Sequence, residues 1–197
     1  MLNQWAQRLT STLFYHTQID NSRRTTFIYG FELLLSTSLS IFSIIIISAF
    51  LSCLSHAIIF LVVFISLRLF NGGFHAKTYR RCFLLTNAVY LTVLAASVYA
   101  YKSVPASTYC PIYILGTLLS TGAIVYLSPI KHFNHPLSEN RYRKNQKIGR
   151  RLVLIYSVVN CFLLFLSIKA VYSVLISFTL MAVAIMMIIP QFTERRD

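Results

Sequence analysis

Six long apolar segments constrain the fold of this chain more than any other feature of its sequence. They cover residues 27–50, 51–67, 83–101, 111–129, 152–168 and 171–189. Each is close to the roughly 17–25 residues that a helix needs to cross a bilayer. The sequence therefore predicts an all-α, polytopic membrane protein with six transmembrane helices. The first two segments abut, and this predicts a tight hairpin between them.

The composition leaves no room for a separate soluble domain. The chain has 197 residues, of which 56% are hydrophobic and 12% are charged, whereas a soluble domain has about 25% charged residues. We predict one integral membrane domain over residues 1–197, with an N-terminal segment (1–26), a six-helix bundle (27–189) and a tail (190–197). The net charge of +13 does not indicate nucleic acid as a partner, because the basic residues are confined to the gaps between apolar segments.

The distribution of those basic residues predicts the orientation of the bundle. If the N-terminus is cytoplasmic, all but two of the 18 Lys and Arg residues lie on the cytoplasmic side, the exceptions being Lys102 and Lys169. Cytoplasmic connectors carry such an excess. Both termini are therefore expected inside. The basic connector 131–151 is expected to contact anionic membrane lipids or, alternatively, to bind an acidic peptide.

The N-terminal segment contains an amphipathic pattern. Its apolar positions are Leu2, Trp5, Ala6, Leu9 and Leu13. Intervals of three and four residues predict a helix. Such a helix either lies in the inner membrane interface or packs against the transmembrane bundle.

The connector after the second apolar segment holds the residues that best indicate chemistry. It reads Asn71-Gly72-Gly73-Phe74-His75, and Cys82 follows at the head of the next apolar segment, with Lys77, Arg80 and Arg81 between them. A cysteine nucleophile acts as a thiolate, which needs nearby positive charge and a base. The connector supplies a thiol, an imidazole and several cations beside the membrane, and this favours an enzyme.

A working pair of His75 and Cys82 requires a bend in the chain. In one continuous helix the two residues would lie about 10 Å apart along the axis. We therefore expect His75 on the incoming loop, released from helical geometry by Gly72 and Gly73, and Cys82 near the start of the third transmembrane helix. A helix N-terminus favours a thiolate. Spacing alone also admits a coincidental pair among ordinary topology signals, with Arg68 only reaching toward the membrane surface.

A zinc site is the next alternative for these residues. His132 and His135 of the following basic connector would have to approach His75 and Cys82. The sequence contains no compact HxxxH or CxxC pair, so we expect no metal and no other cofactor. The remaining cysteines, Cys53, Cys110 and Cys161, are expected to be small apolar residues of the bundle.

The motif resembles a known family. Arg68, the run Asn71-Gly72-Gly73-Phe74-His75-Ala76 and then Cys82 resemble the accessory gene regulator B family, whose members are bacterial membrane cysteine endopeptidases that process quorum-sensing propeptides. The resemblance covers nearly the whole chain. It implies that Cys82 is the nucleophile and His75 its general base. It also implies support of the site by Arg68 and Gly73; Asn71, Gly72, Lys77, Arg80 and Arg81 are further candidates for support or substrate binding.

The resemblance also implies a reaction and its partners. The substrate would be a propeptide with an amphipathic leader, a signal segment and an acidic tail. Cys82 would cleave off the tail, and the signal segment would cyclise to a thiolactone or lactone. The enzyme would be a homodimer of the bacterial cell membrane with its site on the cytoplasmic side. The alternative is a non-enzymatic transporter or peptide-export protein, for which charged residues along several spans are expected.

Overall fold

The described part of the chain forms an all-helical bundle. A computed structural model describes residues 2–16, 24–72, 79–103, 106–129, 139–166 and 170–193. The helices are α1 (Leu2–His16), α2 (Arg24–Phe50), α3 (Leu54–Asn71), α4 (Tyr79–Ser103), α5 (Ala106–Leu127), α6 (Glu139–Phe165) and α7 (Ala170–Thr193). Six of them, α2 to α7, are long and apolar enough to cross a membrane. The predicted fold class, a polytopic membrane protein with six spanning helices, is confirmed.

Helix α7 occupies the centre of the bundle. In its most apolar window 61% of the residues are buried, compared with 22–33% in the other five spans. It packs against α3, α4, α5 and α6. The outer helices expose large apolar side chains such as Phe42, Leu119 and Phe162, as expected of surfaces that face lipid.

Small polar residues join the helices inside the bundle. Ser43 of α2 donates to Asn87 of α4 at 2.9 Å. Asn160 of α6 donates to Thr117 of α5 at 3.1 Å and to Ser177 of α7 at 2.9 Å. Such bonds hold helices together where the surroundings supply no water.

The turn between α2 and α3 is the predicted tight hairpin, but the second span differs from its predicted limits. It runs from Leu54 to Asn71, rather than over 51–67. Ser52 takes a left-handed backbone conformation with φ 54°, and the N–H of Cys53 donates to the carbonyl of Ser48 at 2.9 Å. Hydropathy misplaced the limits because the turn residue Leu51 is apolar, whereas the polar residues Arg68 and Asn71 are helical.

Helix α6 corrects the interpretation of residues 131–151 as one connector. From Glu139 onward this stretch is helical and continuous with the fifth span. Its exposed side chains include Arg141, Arg143, Lys144 and Lys147. Hydropathy identifies only the part of a helix that crosses the apolar core of the membrane. It therefore does not detect the polar turns by which α6 extends beyond that core.

Helix α1 packs against the first turns of α2. Asn3 donates to the buried carboxylate of Glu32, and the rings of Phe14 and Phe27 meet edge to face at 5.5 Å. Asn3, near the start of α1, contacts Glu32, whereas Phe14, near the end of α1, contacts Phe27, which is closer to the start of α2. The two helices are therefore antiparallel. These contacts favour the second interpretation of the N-terminal segment, a helix packed on the bundle.

One end of the bundle collects the features that matter for function. There α3 and α5 end, whereas α4 and α6 begin, and we call it the basic end. The side chain of Gln146 donates to the carbonyl of Ser128, the residue after α5, at 3.1 Å. Because Gln146 lies two turns inside α6, the first turns of α6 extend beyond the end of α5.

Candidate functional site

Cys82 lies in the first turn of α4 at the basic end. It is the fourth residue of a helix that begins at Tyr79, and its side chain is half-buried. The expectation that the cysteine lies near the start of the third spanning helix is therefore confirmed. The first four backbone N–H groups of a helix have no intrahelical acceptor, and they give this end a partial positive charge.

Arg68 brings a guanidinium group to the sulfur of Cys82 from the neighbouring helix α3. Its Nη2 lies 3.4 Å from Cys82 Sγ, and its Nη1 lies 3.4 Å from Thr86 Oγ1. The Thr86 hydroxyl in turn donates to the backbone carbonyl of Cys82 at 2.9 Å. One planar side chain thus contacts two successive turns of α4, which fixes the sulfur relative to α3.

The guanidinium group sits in partly apolar surroundings. It lies 5.7 Å from the centroid of the Phe64 ring, within the range of a cation–π contact. A small recess of about 10 Å³ adjoins it, lined by Phe64, Arg68, Gly72, Val183 and Met186. Hydrogen bonds to a charged group are stronger where water is scarce, so this setting strengthens the contact between arginine and sulfur.

Gly72 ends α3 and directs the chain into the connector. Its φ of 76° lies in the left-handed region, which glycine adopts without steric cost. Its N–H donates to the carbonyl of Arg68 at 3.1 Å. The backbone of Arg68 therefore holds the start of the connector, while its side chain holds Cys82. The expectation that a glycine at this position breaks the helix is confirmed for Gly72.

Asn71 is fully buried and its bonds lead toward α5. Its amide Nδ2 donates to the carbonyl of Leu67 at 3.0 Å, and its Oδ1 accepts the hydroxyl of Ser128 at 2.6 Å. The structure thus places Asn71 among α3, α5 and α6, whereas Arg68 points to α4. Asn71 anchors the helix end and is not part of the immediate surroundings of the sulfur.

The other predicted site residues divide into two groups. Arg80 and Arg81 share the first turn of α4 with Cys82 and have exposed side chains. Gly73, His75 and Lys77 lie outside the described residues, as do His132 and His135 of the zinc alternative. The pairing of His75 with Cys82 therefore stays a prediction.

Neither a disulfide nor a metal cluster involves the cysteines that the structure describes. All four are free, and no group of three or more His, Cys, Asp or Glu side chains gathers within the described ranges. Cys53 lies 3.8 Å from the hydroxyl of Tyr90, and Cys110 donates to the carbonyl of Leu164 at 3.4 Å. These two thiols have neighbours typical of packing positions, unlike Cys82 with its guanidinium.

Sequence reasoning missed two residues that surround Arg68. Thr86 follows Cys82 by one helical turn, so its position on the same face of α4 was available from the spacing. Phe64 precedes Arg68 by one turn of α3 in the same way. Threonine and phenylalanine are both common in spanning helices, so their residue types alone did not mark them as site residues. Only their contacts with Arg68 do so.

Comparison with protein families gives a match over almost the full length. The family model described as Accessory gene regulator B matches residues 3–189. The comparison with curated proteins and that with solved structures found no match. The matched range includes all six spanning helices together with Arg68, Cys82 and the connector between them. The chain therefore belongs to the accessory gene regulator B family, which serves quorum sensing.

Proposed function

We propose that this protein is a membrane cysteine endopeptidase that cuts a quorum-sensing propeptide and cyclises its signal segment. The observation that carries the proposal is the 3.4 Å contact between the Arg68 guanidinium and Cys82 Sγ in the first turn of α4. A cysteine beside an arginine and at a helix N-terminus has the surroundings in which nucleophilic thiolates are found.

The first chemical step forms an acyl-enzyme. His75 takes the proton of the Cys82 thiol, and the sulfur attacks the carbonyl carbon between the signal segment and the tail. The C–N bond breaks, the tail leaves as an amine that receives the proton from His75, and the signal segment remains as a thioester on Cys82. In the second step a Cys or Ser side chain of the peptide attacks this thioester, which releases the Cys82 thiol and a thiolactone or lactone.

The negative charge of the tetrahedral intermediates needs hydrogen-bond donors. The backbone N–H groups of Tyr79, Arg80 and Arg81, which directly precede Cys82 in the first turn of α4, have no intrahelical acceptor, and Arg68 contributes a guanidinium that contacts the sulfur. Preorganised donors of this kind supply a large part of the rate enhancement in acyl transfer. We assign them to the backbone at the head of α4 and to Arg68.

The position of the site at the membrane surface favours cyclisation over hydrolysis. Water competes with the internal nucleophile for the thioester, so the acyl-enzyme must be shielded from solvent. In our proposal the basic end faces the cytoplasm of a bacterial cell, where an amphipathic leader on the inner leaflet keeps the propeptide close to the site. The exposed cations of α6, such as Arg141 and Lys144, attract the acidic tail, and two copies of the chain form the working enzyme.

The experiment that tests this function replaces Cys82. The protein is co-expressed with the short propeptide that we expect to be encoded beside it, tagged at its acidic tail, and tail release is followed by gel and mass spectrometry. Cys82→Ala and Cys82→Ser should each lose at least about a thousandfold in rate, because the nucleophile is removed. Cys110→Ala is the matched control and should retain processing. Normal tail release by a Cys82→Ala protein present at wild-type level in the membrane would refute the proposal.

A further inference from the structure

A second polar cluster at the basic end surrounds the side chain of Asn71. It joins the last turn of α3, the residues after α5 and the early turns of α6. Asn71 is 0% exposed and Ser128 is 3% exposed. The amide of Asn71 is hydrogen-bonded to Leu67 and to Ser128, and these two bonds keep it in one rotamer. Because the interior is closely packed, a shift of a neighbouring residue would also shift Asn71.

Gly149 of α6 provides the space that the Asn71 amide occupies. A Cβ atom placed on Gly149 would overlap Oδ1 of Asn71 and would lie 2.8 Å from its Cγ. Both are atoms of a buried side chain held by hydrogen bonds, so they have no free direction in which to move. A Cβ atom placed on any of the glycines Gly30, Gly116 and Gly122, which also lie within spanning helices, meets no atom within 4 Å.

The cluster continues from Asn71 into the part of α6 that extends beyond α5. Gln146 donates to the carbonyl of Ser128 at 3.1 Å, and the hydroxyl of Tyr142 donates to the carbonyl of Pro129 at 3.4 Å. Tyr142, Gln146 and Gly149 are spaced by four and three residues, so they share one face of α6. This face therefore fixes the end of α3 through Ser128 and Asn71.

We infer that Asn71 is a positioning residue for the peptidase reaction, and that Ser128 and Gly149 hold it against α6. We call these three residues the lock. Asn71 holds the carbonyl of Leu67, the residue before Arg68, and it directly precedes Gly72, where the connector begins. The lock thus sets the position of the last turn of α3 along the helix axis and its rotation about that axis. Through that turn it sets where the Arg68 guanidinium meets Cys82 Sγ. The inference rests on the proposed function.

Gly149→Ala gives the sharpest test. Alanine is a better helix former than glycine, so any loss must come from its contact with Asn71. The processing rate kcat of Gly149→Ala should fall by about tenfold to a hundredfold, since misplacement by an ångström can cost that much. Gly122→Ala in α5 is the matched control, because the same change there meets open space, and it should process at the wild-type rate.

A second measurement separates positioning from general stability and does not depend on any substrate. The full-length membrane protein is treated with iodoacetamide, and the alkylation of each cysteine is followed by mass spectrometry. The ratio of the Cys82 rate to the Cys53 rate should fall by about threefold or more in Gly149→Ala, because thiolate reactivity follows its charged surroundings. Cys53 lies in the turn at the opposite end of the bundle, so general loosening would raise both rates together.

A double-mutant cycle tests whether Asn71 carries the effect. Asn71→Ala alone should lower processing. The double variant Asn71→Ala with Gly149→Ala should be no worse than Asn71→Ala, because the amide atoms that the added methyl group would strike are gone. Should Gly149→Ala fail to accumulate in membranes, Ser128→Ala removes one hydrogen bond of the lock without adding volume. It should lower the alkylation ratio in the same direction.

The results that overturn the inference are distinct from those that overturn the peptidase proposal. A Gly149→Ala protein with the kcat and alkylation ratio of Gly122→Ala, or fully multiplicative effects in the cycle, would show that no lock acts on the site. So would a fall in kcat accompanied by equal changes at Cys82 and Cys53. Normal tail release by Cys82→Ala would refute the peptidase proposal. The alkylation ratio measured with Cys82 present would still report on the lock.

Discussion

Arg68 links the end of α3 to the sulfur of Cys82 through two different parts of one residue. Its carbonyl accepts the N–H of Gly72, and its guanidinium contacts Cys82 and Thr86. A lysine would supply the charge but not the planar pair of donors that reaches both acceptors at once. The geometry, rather than the charge alone, is therefore what the residue contributes.

Arg68→Lys should consequently impair processing although the charge is kept. We expect the rate of tail release to fall by about tenfold or more, with most of the loss in kcat, because the donors act on the sulfur and on the developing charge. Initial rates at several propeptide concentrations measure this split. Arg151→Lys, an exposed position on α6, serves as the control. Equal activity of Arg68→Lys and the wild type would contradict the assigned role.

Chelation distinguishes the thiol mechanism from the zinc alternative. If Cys82 acts as a free thiolate, 1,10-phenanthroline should leave tail release unchanged, whereas iodoacetamide should abolish it. A zinc enzyme would instead lose its activity to the chelator and regain it with added zinc. The assay uses purified protein in lipid vesicles. Recovery of activity on addition of zinc would contradict the thiol mechanism.

Which site residues could be predicted from sequence depends on how local their signal is. Cys82 was predicted from its place at the head of an apolar segment, and Gly72 from the demand for a bend, since both signals lie within a few residues. The contact of Arg68 with Cys82 depends on how two helices pack, which local sequence does not encode. The roles of Ser128 and Gly149 depend on three elements meeting, so they had no detectable sequence signal.

Helices α5, α6 and α7 are joined by the amide of Asn160 in the interior of the bundle. Asn160 is 0% exposed, and so is Thr117, one of its two acceptors. The other acceptor, Ser177, belongs to the central helix α7. A single side chain thus holds three spanning helices in register.

Asn160→Ala should destabilise the bundle without acting on the site. Loss of two interhelical bonds costs about 1–2 kcal/mol, which lowers the thermal unfolding midpoint by about 2–8 °C for a chain of this size. Thermal unfolding in detergent measures it. The neighbouring Val159 faces outward with 48% exposure, so Val159→Ala is the control and should change the midpoint little. Equal midpoints for the two variants would contradict the structural role of Asn160.

At the scale of elements, the sequence predicted the six spans better than their ends. The apolar segments found each of the six spanning helices that the structure describes, because lipid requires such runs. They missed the helical start of α6 and the limits of α3, where polar residues such as Arg68 continue a helix out of the membrane. The packing of α1 on α2 was one of two interpretations, since an amphipathic stripe binds a protein surface and a lipid surface equally well.

The whole molecule is electrostatically asymmetric. The basic end holds Arg68, Arg80 and Arg81 together with the cationic turns of α6, whereas the opposite end has Lys102 at the end of α4. Positive residues are retained on the cytoplasmic side during insertion. The same asymmetry that orients the bundle would place the cysteine on the side where an acidic peptide is made.

Fusion reporters test this orientation directly. Alkaline phosphatase, which is active only outside the cytoplasm, and green fluorescent protein, which fluoresces inside it, are fused in turn after Lys102 and after Asp197. The fusion after Lys102 should give phosphatase activity without fluorescence, and the fusion after Asp197 the reverse, since an odd and an even number of spans precede the two points. Phosphatase activity from the fusion after Asp197 would place the basic end outside. The propeptide would then have to cross the membrane before it is cut, which contradicts the cytoplasmic reaction proposed for Cys82.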